Sequence, residues 1–128
     1  MTQWIPFVEG EYLVEAAHLV APDNSAAALE NTIIEVYADR QGRRHLKGRS
    51  RIRNQFMIEM LEDNDDLDLI LDFGEEFKYR LATPELHAGK VFSATAKSTL
   101  WFIPTDAWEQ IPAHEYQALM SRLKVLAD

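Results

Sequence analysis

Between Asn64 and Glu75 the chain spaces its acids almost as a calcium loop does. With Asn64 as the first ligand, Asp66, Asp68, Asp72 and Glu75 fall at the third, fifth, ninth and twelfth loop positions. The sixth position must turn sharply and takes Gly in such loops, yet here it is Leu69. The run Leu67-Asp68-Leu69-Ile70-Leu71-Asp72-Phe73 also alternates with a period of two, the mark of a half-buried strand. A strand sets its carboxylates along one face rather than around a cation. No metal site is expected.

Glu76-Phe77-Lys78 matches the E-x-K half of a nuclease signature, with acids upstream as possible ligands. Two residues in that relation also simply share the exposed face of a strand, and that reading is preferred. There is no Gly-rich phosphate loop, no G-x-S-x-G and no H-E-x-x-H. His18, His45, His87 and His114 have no ligand spacing between them, and the absence of cysteine removes thiolate chemistry and disulfides. The sequence therefore points to no catalytic residue and no cofactor.

Arg43, Lys47, Arg49, Arg51 and Arg53 share one strand parity and make the most unusual feature of the chain. Net charge is −8, but residues 1–39 carry −7, residues 40–58 carry +7 and residues 59–76 carry −9. One reading of the cationic arm is a groove for a nucleotide or nucleic acid. The other is a solvated strand face whose cations pair with Glu35, Asp72 and Glu76 on adjacent strands. The second is favoured, because neutralised cations bind phosphate poorly and nucleic-acid domains are usually basic overall, whereas this pI is near 4.9. Arg40-Gln41-Gly42-Arg43-Arg44 resembles the R-x-x-x-R half of the pattern with which PilZ domains, themselves β-meanders with a C-terminal helix, bind cyclic dinucleotides. The other half, Asp or Asn followed by Ser and Gly on a later strand, is missing, so the resemblance ends at these five residues.

The elements that must position these side chains follow from the same alternation. Residues 43–60 and 66–81 read as the arms of one long hairpin, closed by a loop at Glu62-Asp63-Asn64-Asp65. That register sets Leu46 against Leu81, Phe56 against Leu71, Ile58 against Leu69 and Met60 against Leu67, with Gly48 beneath Tyr79. Arms of this length, at roughly 3.3 Å per residue, must bend to fit a compact domain, and Gly74 and Asn54 lie at one level where a bend could form. Residues 31–39 and 90–103 read as further strands, 11–20 as helix or strand, and 21–31 as a loop. A capping box at Asp106 and Glu109, with Pro112 in a first turn, leads into a helix lined by Tyr116, Leu119, Met120, Leu123 and Leu126. The expected fold is one α+β domain over residues 1–128. It is an antiparallel β-meander of four to five strands, able to curl toward a barrel, with a C-terminal amphipathic helix.

No apolar run approaches the roughly 20 residues a membrane span needs. No basic segment precedes an apolar one at the start, since the first Lys or Arg is Arg40, so a cytoplasmic protein is expected. A clear fold pattern without catalytic groups suggests a non-enzymatic module that binds a protein partner or itself through a sheet face or edge. Trp101 and the cationic arm are its candidate contacts. A homodimer is expected, with strand 90–103 as an unprotected edge carrying Trp101 and Ile103.

Overall fold

The computed structural model describes residues 7–89, 93, 95–105 and 108–127. Part of the expected strand 90–103 and the capping residue Asp106 lie outside that set. The described chain is an antiparallel α+β fold, as alternation predicts, but with ten strands rather than four or five. In chain order these are β1 (Gly10–Leu13), β2 (Ala16–Val20), β3 (Ser25–Ala38), β4 (Arg44–Arg53), β5 (Asp68–Asp72), β6 (Lys78–Leu81), β7 (Glu85–Ala88), β8 (Lys97–Ile103), β9 (Glu109–Gln110) and β10 (Lys124–Val125). Helix α1 (Asn54–Asp63) follows β4, and α2 (Ala113–Arg122) precedes β10.

β3 ties the molecule together. Its second half pairs with β1 on one side and β4 on the other, and β8 and β7 continue that sheet outward. Its first half pairs with β2, followed by β5, β6 and β9, while β10 lies parallel on its other side. The two sheets curl into a half-barrel because β3 bends at a bulge, where Glu30 pairs with Arg51 but Ile33 pairs with Arg49. Asn31 takes the left-handed backbone there, at φ 50°. The extra residue moves the buried parity from Ala27 and Leu29 to Thr32, Ile34 and Val36. A buried hydroxyl pair, Thr32 Oγ1 to Ser50 Oγ at 2.8 Å, joins β3 to β4 just past the bulge.

The interior lies between the sheets and takes Leu19, Ile34, Leu46, Ile52, Leu69, Leu71, Leu81, Leu100 and Phe102, with Met57 and Met60 supplied by α1. A second cluster of Val20, Ala26, Ile70, Ile111, Tyr116 and Leu119 seats α2 against the outer side of the β2–β5 sheet. Of the residues expected on the apolar side of the terminal helix, Tyr116 and Leu119 are buried and Met120 and Leu123 pack beside them.

The long hairpin is not present. Residues 54–63 are helical instead, so β4 never meets β5. β4 pairs with β3 and β8, and β5 pairs with β6 through Leu69–Leu81 and Leu71–Tyr79. The alternation Phe56, Ile58, Met60 misled the strand reading. Met57, Met60 and Leu61 are spaced equally well for a helix, and it is Met57 and Met60 that are buried. Gly48 does lie beneath an aromatic ring, but the ring is Phe102 of β8, not Tyr79. Gly74 and Asn54 do not share a bend. Gly74, at φ 99°, turns β5 into β6, and Asn54 begins α1 with its amide donating to the Ser93 carbonyl at 2.7 Å. Residues 10–13 and 16–20 are strand, and β3 starts at Ser25, inside the expected loop. β8 is not an edge, because β7 covers it.

Where β5 meets β6, Asp72 and Lys78 form a largely buried ion pair at 3.2 Å. Lys78 also donates to the Glu75 carbonyl, lies over the Tyr116 ring at 5.1 Å, and so connects the sheet to α2. Burial, reinforced by the adjacent Asp72 carboxylate, pushes the Tyr116 phenol up to about 12. A raised phenol contributes stability in full below its unfolded value of 10.0 and loses it as pH climbs through the folded value of about 12. Tyr116→Phe should flatten the decline in stability over that alkaline window, read by urea unfolding at a series of pH values. An unchanged slope would show that Tyr116 ionises as freely in the native chain as in the unfolded one.

Candidate interaction face

The sheet β1–β3–β4–β8–β7 has an outer side on which no helix of the described residues packs. Alternation fixes which residues face outward there. Leu46, Gly48, Ser50 and Ile52 point into the interior, so Lys47, Arg49 and Arg51 point out. Leu100 and Phe102 likewise point inward, leaving Thr99, Trp101 and Ile103 outside.

The strand pairings place these side chains in rows across the sheet. One row runs Leu13, Ile33, Arg49, Trp101 and His87. A second runs Glu11, Glu35 and Lys47, with Ile103 and Glu85 continuing on the far strands. Trp101 is 45% exposed, Leu13 78%, and Tyr37 and Ile103 40% each. Half of the exposed large apolar side chains among the described residues thus belong to this one side. The bulge at Asn31 opens a depression of about 280 Å³ in its middle, lined by Ile33, Arg49, Arg51 and Thr99.

Acids lie close to the cations. Lys97 Nζ is 2.6 Å from Glu30, Lys47 Nζ 3.8 Å from Glu35, and Arg49 is 3.9 Å from Glu11. Glu35 is the one acid that sequence reasoning paired correctly with the stripe. Asp72 turns to Lys78 instead, and Glu76 sits in the β5–β6 turn. Arg51 donates to the Lys97 carbonyl at 3.3 Å. Lys47 also lies 5.4 Å from the centre of the Tyr37 ring, which stacks on His45.

Of the six residues singled out by sequence, Lys47, Arg49, Arg51 and Trp101 share the face. Arg53 stands at the end of β4, over the Phe56 ring and beside Lys97. Arg43 belongs to the β3–β4 turn, where its backbone N–H donates to Asp39 at 2.9 Å. Asp39 also bonds His45 at 2.8 Å, and that contact, with the turn's backbone N–H groups, holds its carboxyl below the ordinary range. Ile103, which the sequence already sets beside Trp101 on the outward parity of its strand, completes the face together with Leu13, Ile33 and Tyr37, which the sequence does not place there. Their own alternation turns them outward, and the turn residues 39–42 set β3 beside β4, but no local signal places β1 beside β3.

The acids that suggested calcium do not converge. Asp68 accepts the Thr83 N–H at 3.2 Å and lies 4.0 Å from Arg80, and Asp72 is committed to Lys78 and to the Gly74 N–H. No group of three or more His, Asp or Glu side chains among the described residues could hold a metal ion. Lys78, the lysine of the E-x-K match, is buried in its pair with Asp72. No helix among the described residues is long and apolar enough to cross a membrane. No protein-family model, curated protein or solved structure matches this chain.

Proposed function

We propose that the protein is a non-enzymatic interaction module that meets a second copy of itself through the outer face of the β1–β3–β4–β8–β7 sheet. The observation that carries this reading is the central row, in which Trp101 stands between Arg49 and His87 with Ile33 and Leu13 beyond. Trp, Tyr and Arg are the residues that most often dominate the energy of protein interfaces. The earlier location of the dimer at a β8 edge is replaced, since β7 occupies that edge.

Charge favours a second copy over an anionic ligand. Lys47, Arg49, Arg51, Arg53 and Lys97 are nearly balanced on this face by Glu11, Glu30, Glu35 and Glu85, on a chain whose net charge is −8. Two copies repel least through such a near-neutral side, and a two-fold contact requires a patch complementary to itself. A half-exposed indole paired across the strands with Arg49, which lines the depression of about 280 Å³, has that character. A phosphate ligand would have to displace acids already placed beside three of these cations, which removes most of the gain from counterion release.

Arg49→Glu tests this reading at the centre of the face, away from the core. The variant should elute from a sizing column as a monomer at concentrations where the native protein elutes as a dimer. Identical elution of both at high micromolar concentration would reject the face as the contact.

A further inference from the structure

β1 has a second side that no strand of the described residues occupies. Val14 N–H donates to the Thr32 carbonyl at 3.0 Å, and Glu15 N–H donates across the other side to the Asp72 carbonyl at 2.8 Å. Antiparallel pairing alternates the direction of the backbone groups, so Gly10 and Tyr12 address β3 while Glu11 and Leu13 present theirs to the open side. β2 fills its own open side with β5, but β5 ends at Asp72 and turns away through Gly74. No described residue extends the ladder along β1.

Beside that edge lies an apolar groove of about 560 Å³, lined by Phe7, Tyr12, Leu13, Phe73 and Phe77, with Glu11 at its margin. Phe7 and Phe73 are held in place by ring contacts at 5.0 Å to each other and 5.3 and 6.4 Å to Trp108. Phe77, by contrast, is 42% exposed at the groove wall. Acids cluster around it. Glu9 and Glu11 come from the β1 side, Glu75 and Glu76 from the turn between Phe73 and Phe77, and Glu15 brings its carboxylate within 3.2 Å of where a side chain at Gly74 would begin. Against these acids stand Arg49, shared with Glu11 at 3.9 Å, and Arg44, which donates to the Phe7 carbonyl at 2.7 Å, so the balance around the groove stays acidic.

We propose that the open edge of β1 takes an extended, alternating basic and apolar segment of a partner protein as an added strand. The backbone groups of Glu11 and Leu13 supply the ladder, the groove takes the apolar side chains, and the surrounding carboxylates select the basic ones. A second copy of β1 does not suit the site, because it would bring Glu9, Glu11 and Glu15 of one chain toward those of the other. The edge adjoins the Trp101 face and shares Glu11 and Leu13 with it, but it binds through backbone groups and the groove, whereas the face binds through outward side chains centred on β4 and β8.

The test uses the full chain and a short acetylated peptide alternating valine and lysine, titrated while backbone amide resonances are followed. Saturable shifts at Glu11 and Leu13 are expected. The same peptide methylated on alternate backbone nitrogens, and one alternating valine and glutamate, should bind about tenfold more weakly or worse, the scale of losing one or two backbone hydrogen bonds or of reversed charge. Leu13→Pro removes an N–H that β3 does not use and should abolish binding with the amide spectrum of the core unchanged. Should that variant fail to fold, Phe77→Glu reads the same site from the groove wall and should also abolish binding. Trp101→Lys should leave binding intact. No saturable shift at Glu11, equal binding of the acidic peptide, or loss of binding in Trp101→Lys would each overturn the proposal. So would self-association that Phe77→Glu abolishes, which would make the occupant a second copy.

Discussion

Replacing Gly48 with Ala should destabilise the domain severely, although it adds one methyl group. A Cβ built at Gly48 would stand 2.0 Å from Cζ and 2.3 Å from Cε2 of Phe102. Phe102 is fully buried, as are Leu100 and Ile52 around it, so the ring has no free volume into which to move. Overpacking a rigid interior costs roughly 1–3 kcal/mol and sometimes more, and a contact this short belongs at or above the top of that range. The contact also fixes register, because it seats β8 across β4 with Gly48 opposite Phe102. Urea unfolding followed by circular dichroism measures the loss. Gly89→Ala, where the added carbon meets nothing within 4 Å, is the control and should unfold at nearly the native midpoint. Phe102→Leu introduced with Gly48→Ala should recover part of the loss, since the two side chains compete for the same space. Equal midpoints for native protein and Gly48→Ala would mean that β8 is not seated on β4 in this register.

The second large effect is expected at the Asp72–Lys78 pair. Asp72 accepts from Gly74 N–H at 2.8 Å and from Lys78 at 3.2 Å, and these side chains are only 17% and 9% exposed. Asp72→Ala leaves the Lys78 ammonium buried without its counter-charge and frees the backbone donor that holds the Gly74 turn. Removing one partner of a buried pair costs about 3–5 kcal/mol. Removing both is milder, because no uncompensated charge remains. Asp72→Asn combined with Lys78→Met should therefore be more stable than Asp72→Ala alone, despite carrying the larger change. The comparison is made by chemical denaturation at neutral pH. A double variant less stable than the single one would show that Lys78 reaches solvent readily and that the pair is not the anchor of this corner.

The features of this fold that alternation controls were legible, and those that long-range pairing controls were not. The inward and outward sides of β4, from Leu46 to Ile52, follow from the pattern alone, as do those of β8 from Lys97 to Ile103. The same pattern failed at Asn54. Helix α1 has no side-chain cap, since Arg53 precedes it, and no acid in its first turn, so neither of the usual start signals marks it. With the strand pattern continued to Met60, Glu62-Asp63-Asn64-Asp65 takes the place of a hairpin loop, and both arms acquire the wrong neighbours. The turn Phe73–Phe77 was hidden for a related reason. Leu67 through Leu81 keep one parity across it, although Gly74 and Glu75 both adopt positive φ there. The candidate face was legible in its cations and Trp101, which share parities on their own strands. Of its apolar half, Ile103 shares the parity of Trp101 and was legible, but Leu13 was not, because it reaches Ile33 and Arg49 only through the pairing of β1 with β3. The open side of β1 was invisible for the same reason, since an edge is a property of the assembled sheet rather than of a segment.

Sedimentation equilibrium of the native protein and of Trp101→Lys tests the proposed face most directly. The substituted side chain is 45% exposed and outside the core, so the variant should keep the native circular dichroism spectrum and unfolding midpoint. A contact through this face requires a species of twice 14.7 kDa for the native chain at high micromolar concentration and a single 14.7 kDa species for the variant. A native protein that sediments at 14.7 kDa throughout, or a dimer that persists in Trp101→Lys, would contradict it.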